Sequence, residues 1–407
     1  MKNLSNKKIF IQSYGCKVNQ YETRLIGDFV IAGGNAITAD IYEADIIIIN
    51  SCTVTENADK ECEYFIRKHS KMPDNSETGI VPKIILTGCL AQTLPPEKYP
   101  QIQIIKNKET LFLEPDRQVV KNSAGKSRAF VKIQDGCESF CSYCIVPYVR
   151  IKNWSKPIET VIDEISGLSA KGHAEIVLTG IHVGKYLYGL DNLFNEIVRA
   201  NLPLRVRLSS IEVTEITNEI IEIFKNNPAQ LCRHVHVPLQ SGSDKILKQM
   251  GRGYSRFFYK KTIEKLRSQM PDIAITTDII TGFPGESEYD FNDTFSFIKE
   301  GVTPSDMHVF RYSNRSGTKA SLMPDKIDAK IIDSRMKKLF ELKGILKNNY
   351  ERKFLCKRLQ AVMIGTKEVL TDNYISLPLA ENSMPPKNPI FEVEIVEEKN
   401  KLVAVCL

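Results

Sequence analysis

Between Ile9 and about Asn107 short β-branched runs alternate with helix-like segments: IFIQSY, YETRLIGDFVIAG, ADIIIINSC, ENADKECEYFIRKHS and KIILTGC. Strands buried on both faces read as continuous apolar runs, as Asp45 to Asn50 does. The pattern therefore predicts a parallel sheet with helices on its faces, an α/β domain over residues 1–120. The polar stretch KNSAGKSR, Lys121 to Arg128, reads as a linker. From 128 to 324 the strand candidates AFVKIQ, AEIVLTG, LRVRLSS, HVHVPLQ, AITTDII and MHVFRYS follow, with helical segments such as ETVIDEISGLSAKG and SRFFYKKTIEKLRSQM between them. Repeated βα units predict a barrel or partial barrel whose chemistry sits at the carboxyl ends of its strands. Beyond Pro324, Met336, Leu339, Phe340, Lys343 and Leu346 stand at helical spacing. They predict a basic amphipathic helix from Asp328 to about Tyr350, within a connector over 325–357. Over 358–407 the runs QAVMIG, NYISLPL, IFEVEIVEE and KLVAVCL predict a small β-barrel or curled sheet.

Hydrophobic residues at 42% and charged residues at 26% are the balance of a folded globular chain and exclude a disordered one. The longest apolar run, near Ile46 to Ile49, falls far short of the roughly 20 residues that cross a bilayer. MKNLSNKKIF leads straight into a strand-like pattern, without the apolar core and cleavage site of a secretory signal. A cytoplasmic location without a membrane is expected. Cytosolic thiols stay reduced, so regularly spaced members of the ten cysteines point to metal binding or catalysis rather than disulfides. The net charge of +6 is unevenly placed, since Arg311 to Arg358 holds 14 Lys or Arg against 5 Asp or Glu.

Cys137, Cys141 and Cys144 lie in one short run, DGCESFCSYCIVPY. Thiolates are the usual ligands of iron-sulfur clusters, and three from one loop leave one iron of a 4Fe-4S cluster open to a cofactor or substrate. A zinc site is the alternative, but zinc prefers four ligands. Cys16, Cys52 and Cys89 each end a strand-like run, QSYGC, IINSC and LTGC, at separations of 36 and 37 residues. The carboxyl ends of parallel strands face one side, so these thiols can converge on a second cluster. Gly15 and Gly88 would permit the close approach. The plainer reading is three small buried hydrophobes. Cys62, Cys232, Cys356 and Cys406 do not share this placement and are read as non-ligands.

The CxxxCxxC run with Tyr143 before its third cysteine resembles the radical S-adenosylmethionine superfamily. Together with YGCKVNQYET, NSCTVTENADK, TGCLAQ, RLSSIE, HVPLQSGSD and ITTDIITGFPGE it resembles the methylthiotransferase family over nearly the whole chain, and most the MtaB branch acting on tRNA. The resemblance implies an N-terminal three-cysteine α/β domain, a radical S-adenosylmethionine partial β/α barrel and a small TRAM-like β-domain. It implies two 4Fe-4S clusters, one cleaving S-adenosylmethionine to a 5′-deoxyadenosyl radical and one carrying sulfur. The activity it implies is conversion of N6-threonylcarbamoyladenosine beside the anticodon to its 2-methylthio form, with tRNA, an electron donor and a sulfur source as partners.

By the same resemblance Tyr143, Thr179, Gly180, Ser209 and Ser210 become candidate cofactor contacts, joined by Glu212, Gln240 and Ser241. Gln240, Asp278 and Glu212 are also candidate catalytic pocket groups, whereas His234 and His236 read as barrel filling. Arg311, Arg315, Lys337 and Lys338 are candidate tRNA contacts, because phosphates dominate nucleic-acid affinity. One departure stands out: PYVRIKNWS keeps Arg150 but lacks the glycine that usually follows it. Rival readings are methylthiolation of isopentenyladenosine in tRNA, modification of a ribosomal protein, and a non-catalytic two-cluster electron carrier.

Overall fold

The structure, a computed structural model, describes residues 6–71, 81–106, 119–120 and 127–407. The predicted linker falls almost wholly outside them. The N-terminal segment forms β1 (Lys8–Ser13), α1 (Lys17–Ala32), β2 (Ala36–Ile37), β3 (Ile46–Ser51), α2 (Glu56–His69), β4 (Lys83–Gly88), α3 (Leu90–Thr93) and β5 (Gln103–Ile104). Its five strands are all parallel in the order β2-β1-β3-β4-β5. The apolar run of β3 is buried at every position. Alternate residues serve opposite faces: Ile47 and Ile49 pack with Cys62 and Ile66 of α2, while Ile46 and Ile48 pack with Ile26 and Val30 of α1.

The next segment runs β6 (Arg128–Lys132), β7 (Gln134–Asp135), α4 (Val146–Val149), β8 (Trp154–Ser155), α5 (Ile158–Ala170), β9 (Glu175–Thr179), α6 (Leu190–Ala200) and β10 (Arg205–Leu208). It continues with α7 (Asn218–Asn226), β11 (His234–His236), α8 (Asp244–Met250), α9 (Arg256–Gln269), β12 (Ala274–Thr281), α10 (Glu288–Ser296) and β13 (Asp306–Arg311). Parallel strands β6-β9-β10 and β11-β12-β13 are joined by a bridge from Val206 to Leu231. Six strands in chain order thus make a partial barrel, filled by one large apolar core.

Helix α11 (Ala329–Arg352) begins at Asp328, whose carboxylate accepts from the Lys330 backbone N–H at 2.8 Å. Its buried seam is Ile332, Arg335, Leu339, Leu342 and Leu346; Leu339 and Leu346 of the predicted face lie in it and Met336 packs beside it, whereas Phe340 is half exposed. The seam admits an arginine because Arg335 meets the buried Glu286 at 2.8 Å. The chain ends in β14 (Arg358–Met363), β15 (Glu368–Thr371), β16 (Ser376–Pro378), β17 (Phe391–Glu398) and β18 (Lys401–Cys406). This antiparallel sheet, ordered β16-β15-β14-β17-β18, curls until Leu379 bridges Ala404. Strand β15 was not anticipated, since its four residues are too few to display a period.

An ionic knot fixes this last domain beneath the barrel. Glu175, fully buried at the start of β9, takes Arg205 and Arg207 of β10 at 2.8 Å and Arg128 at 2.7 Å. The remaining N–H groups of Arg205 reach the carbonyls of Gln360 at 3.0 Å and Leu370 at 2.8 Å. Those of Arg207 reach Thr371 and Asp372, each at 3.0 Å. Burial opposes the Glu175 charge, but the guanidiniums outweigh it and hold the carboxyl well below its ordinary range. Removing one member of such a set leaves buried charge uncompensated, so Glu175→Ala should cost about 3–5 kcal/mol in urea unfolding. A loss under about 1 kcal/mol would contradict this account.

Candidate active site

Cys52 and Cys89 follow the last residues of β3 and β4, and Cys16 caps α1 three residues beyond β1. Neighbouring parallel strands thus deliver three thiols to one edge. Gly15 has φ +99°, and a Cβ there would lie 2.6 Å from Cys52 Sγ. Gly88 has φ +96°, and its Cβ would lie 2.3 Å from the Ser51 carbonyl oxygen. Only glycine lets the strand ends meet so closely. Burial pushes the Cys52 thiol up to about 11 and the Cys16 thiol above its ordinary value, with Cys89 adding to both.

Cys137 follows the β7 turn, with Cys141 and Cys144 on the same loop. The Ser142 N–H donates to the Met250 carbonyl at 2.9 Å, which ties the loop to the end of α8. Arg252 donates to Cys141 Sγ at 3.4 Å and pairs with Glu212. His182 Nδ1 lies 3.4 Å from Cys137 Sγ, and its Nε2 lies 2.7 Å from Glu215 Oε1. Burial opposes the imidazolium, but these two contacts outweigh it and hold its pKa up at about 10. Burial alone would raise the Cys137 thiol, yet His182 and Ser139 draw it below its ordinary value.

The two trios adjoin each other. Cys89 packs against Ile145 and Val149, immediately beyond Cys144. Among the described residues, the one group of three ligand-type side chains with all ligand atoms within 4.8 Å is His236, Asp278 and His308. Sulfurs on one tetrahedral zinc, with Zn–S near 2.3 Å, would stand about 3.8 Å apart. Neither thiol trio is that tight, which speaks against a single zinc ion held by either.

A cavity of ≈ 550 Å³ opens between the domains. Cys16 and Lys17 line it from the N-terminal domain; Thr179, Gly180, Ser209, Ser210 and Glu212 line it from the ends of β9 and β10. Deeper in, Asp278 accepts from His236 and His308, each at 3.1 Å. The two histidines outweigh the effect of burial and hold its carboxyl well below the ordinary range. His234 also lines the cavity, and Tyr374 of the C-terminal domain stacks on it with ring centroids 3.9 Å apart.

The structure does not bring every candidate to this cavity. The Tyr143 ring packs with Ile246, Met250 and Phe283. Gln240, at φ +71°, joins the barrel through its backbone N–H to Asp278 at 2.8 Å. Ser241 is fully buried, its hydroxyl 3.1 Å from that of Thr294. Of the candidate RNA contacts, Lys337 and Lys338 are exposed on α11 and Arg311 pairs with Asp333 at the surface. Arg315 instead turns inward, bonding Thr53 and Asp59 of the N-terminal domain at 2.5 Å each. Sequence reasoning missed His182 and Arg252 as neighbours of the loop cysteines. Their only signal was a strand-end position for His182 and a glycine-flanked turn for Arg252.

Residues 131–298 match the Radical SAM superfamily, and residues 8–107 match an uncharacterized protein family, UPF0004. The chain is 35% identical to a threonylcarbamoyladenosine tRNA methylthiotransferase MtaB of Bacillus subtilis, over 85% of this chain and 82% of that protein. It is 37% identical to a protein of the same name from Thermotoga maritima, over 78% and 77%. A tRNA-2-methylthio-N(6)-dimethylallyladenosine synthase of Caldicellulosiruptor saccharolyticus is 33% identical, over 92% and 84%. Among solved structures, the radical S-adenosylmethionine methyltransferase TsrM from Kitasatospora setae, with cobalamin and a [4Fe-4S] cluster bound, covers 75% of each chain. At 13% identity and a TM-score of 0.55 it shows a shared fold. The chain belongs to the radical S-adenosylmethionine tRNA methylthiotransferases, transferases that use S-adenosylmethionine and two 4Fe-4S clusters.

Proposed function

We propose that the protein converts N6-threonylcarbamoyladenosine beside the tRNA anticodon to 2-methylthio-N6-threonylcarbamoyladenosine, working in the cytoplasm. The observation that carries this reading is a cavity shared by strand ends of the N-terminal sheet and the barrel, with Cys16 on one wall and Ser209, Ser210 and Glu212 on the other. Its size lies in the range of ligand pockets. Support for the substrate comes from the 35% and 37% identical relatives bearing that name and from the CKVNQYET and TVTENAD runs.

We assign Cys137, Cys141 and Cys144 to one cluster and Cys16, Cys52 and Cys89 to the other. Bound there with S-adenosylmethionine, these groups would supply one-electron bond cleavage, sulfur and a methyl group; an electron donor and a sulfur source are required besides. The protein's own residues orient and shield. Arg252 places a guanidinium against Cys141 and holds Glu212 at the cavity wall. Thr179, Gly180, Ser209 and Ser210 offer strand-end polar groups to the cofactor, and Asp278 with its histidines forms a polar wall for the base. Gln240, Ser241 and Tyr143 act from behind, supporting the barrel rim and the cysteine loop. Arg311, Lys337 and Lys338 are the backbone contacts for tRNA.

Anaerobically reconstituted protein should contain two clusters and release 5′-deoxyadenosine with reductant. Alanine at Cys137, Cys141 and Cys144 should abolish that product, measured by chromatography. Alanine at Cys16, Cys52 and Cys89 should leave cleavage in place and stop sulfur insertion, and a second triple variant that still methylthiolates would refute its assignment. Nucleoside mass spectrometry of tRNA from a deletion strain should lack the 2-methylthio-threonylcarbamoyl nucleoside; loss of the isopentenyl counterpart instead would overturn the substrate. Charge reversal at Lys337 and Lys338 should weaken tRNA binding and lower the salt slope by about 1 per lost phosphate contact, read by anisotropy at several salt concentrations.

A further inference from the structure

Each ionisable group around the cavity has a polar partner, with one exception. Glu212 pairs with Arg252, and Asp278 is engaged by His236 and His308. His182 faces Glu215 at 2.7 Å. His234 is buried against the Thr276 hydroxyl at 3.0 Å. Lys17 is the remaining charged residue of the lining, half-buried in the first turn of α1. Among the described residues no ion pair or hydrogen bond engages its ammonium group. An ammonium withdrawn from water without a counter-ion is costly, and an anion delivered into the same cavity removes that cost. Lys17 follows Cys16 directly, so it stands on the wall formed by the N-terminal domain, across the cavity from Ser209 and Ser210.

The substrate named above brings such an anion. A threonylcarbamoyl group on adenine N6 ends in a free carboxylate, whereas an isopentenyl group is an uncharged hydrocarbon. We propose that Lys17 is a specificity-determining residue that pairs with the carboxylate of the threonylcarbamoyl group, so that the cavity selects this nucleoside over hydrocarbon-modified adenosines. The assignment rests on the proposed function. A hydrocarbon at the same place would take water from the half-buried ammonium without pairing it, which discriminates by penalty as well as by attraction. S-adenosylmethionine also carries a carboxylate, and the test separates the two sources.

The probes are anticodon stem-loop RNAs carrying N6-threonylcarbamoyladenosine, its methyl ester or isopentenyladenosine. Their binding to the two-cluster holoenzyme is read by anisotropy with and without S-adenosylmethionine, and product by mass spectrometry. Wild-type protein should bind the free acid roughly tenfold or more tightly than the ester, the scale of one charge-assisted hydrogen bond. Lys17→Gln should bind acid and ester alike, and Lys17→Arg should restore a preference for the acid. Wild-type indifference to esterification overturns the inference even where the glutamine variant fails to assemble. So does a glutamine variant that keeps the preference while losing affinity for S-adenosylmethionine, which would give Lys17 to the cofactor. Wild-type protein that methylthiolates the isopentenyl RNA and not the threonylcarbamoyl RNA overturns the proposed function and this inference together. Turnover of the threonylcarbamoyl RNA with equal binding of acid and ester overturns the inference alone.

Discussion

A buried guanidinium holds the two cysteine-bearing domains in register. Arg150 donates to Glu22 of α1 at 2.9 Å and to Asp135 of the barrel at 2.9 Å. Its second nitrogen reaches Asn19 at 3.0 Å, and Lys132 completes a neutral set of two cations and two carboxylates. Burial opposes every charge in it, yet the carboxylates hold Arg150 and Lys132 above their ordinary values. Charges in low dielectric tolerate little displacement, because a partner moved away leaves an uncompensated ion. The arrangement is therefore a geometric lock. Asn19 also lies 3.3 Å from Cys16 Sγ, and Arg150 itself follows the loop that carries Cys144. One side chain thus fixes the distance between the two thiol trios.

The loss of the glycine after Arg150 leaves this lock intact. Ile151 occupies that place with its side chain largely in solvent, and Trp154 pairs through its backbone with Asp135 while its ring receives Lys132 at 4.9 Å. The tryptophan shields the lysine from water on the open side, which strengthens the ionic set it borders. At the other end of the barrel the Glu175 knot and the Tyr374 stack on His234 perform a similar task for the C-terminal domain. The cavity is lined from three domains, the last through Tyr374, and charged contacts anchor them to one another.

Features set by neighbouring residues were legible from the chain alone. The strands and their parallel character followed from apolar runs, and the thiol spacing of Cys137, Cys141 and Cys144 depends only on a short loop. Even the convergence of Cys16, Cys52 and Cys89 followed from strand ends in a parallel sheet. Side-chain partners were a different matter. Lysines and arginines looked equivalent in the basic stretch, yet Arg315 finds Asp59 at a separation of 256 residues and leaves the surface, while Arg335 enters the α11 seam to meet Glu286.

Periodicity and local spacing, then, determined the α/β class, the barrel, the terminal β-domain and the placement of six cysteines at strand ends and on one loop, because each is encoded within one element or at its end. Tertiary structure decided which other polar side chains join the anticipated Thr179, Ser209, Ser210, Glu212 and Asp278 in the cavity. It drew in Lys17 and His182, placed Arg252 against Cys141, and kept Tyr143, Gln240 and Ser241 behind the wall. The reason is physical: contacts such as Arg150 with Glu22, 128 residues apart, are selected by the complementarity of buried charges after the elements pack, and no local pattern records that choice.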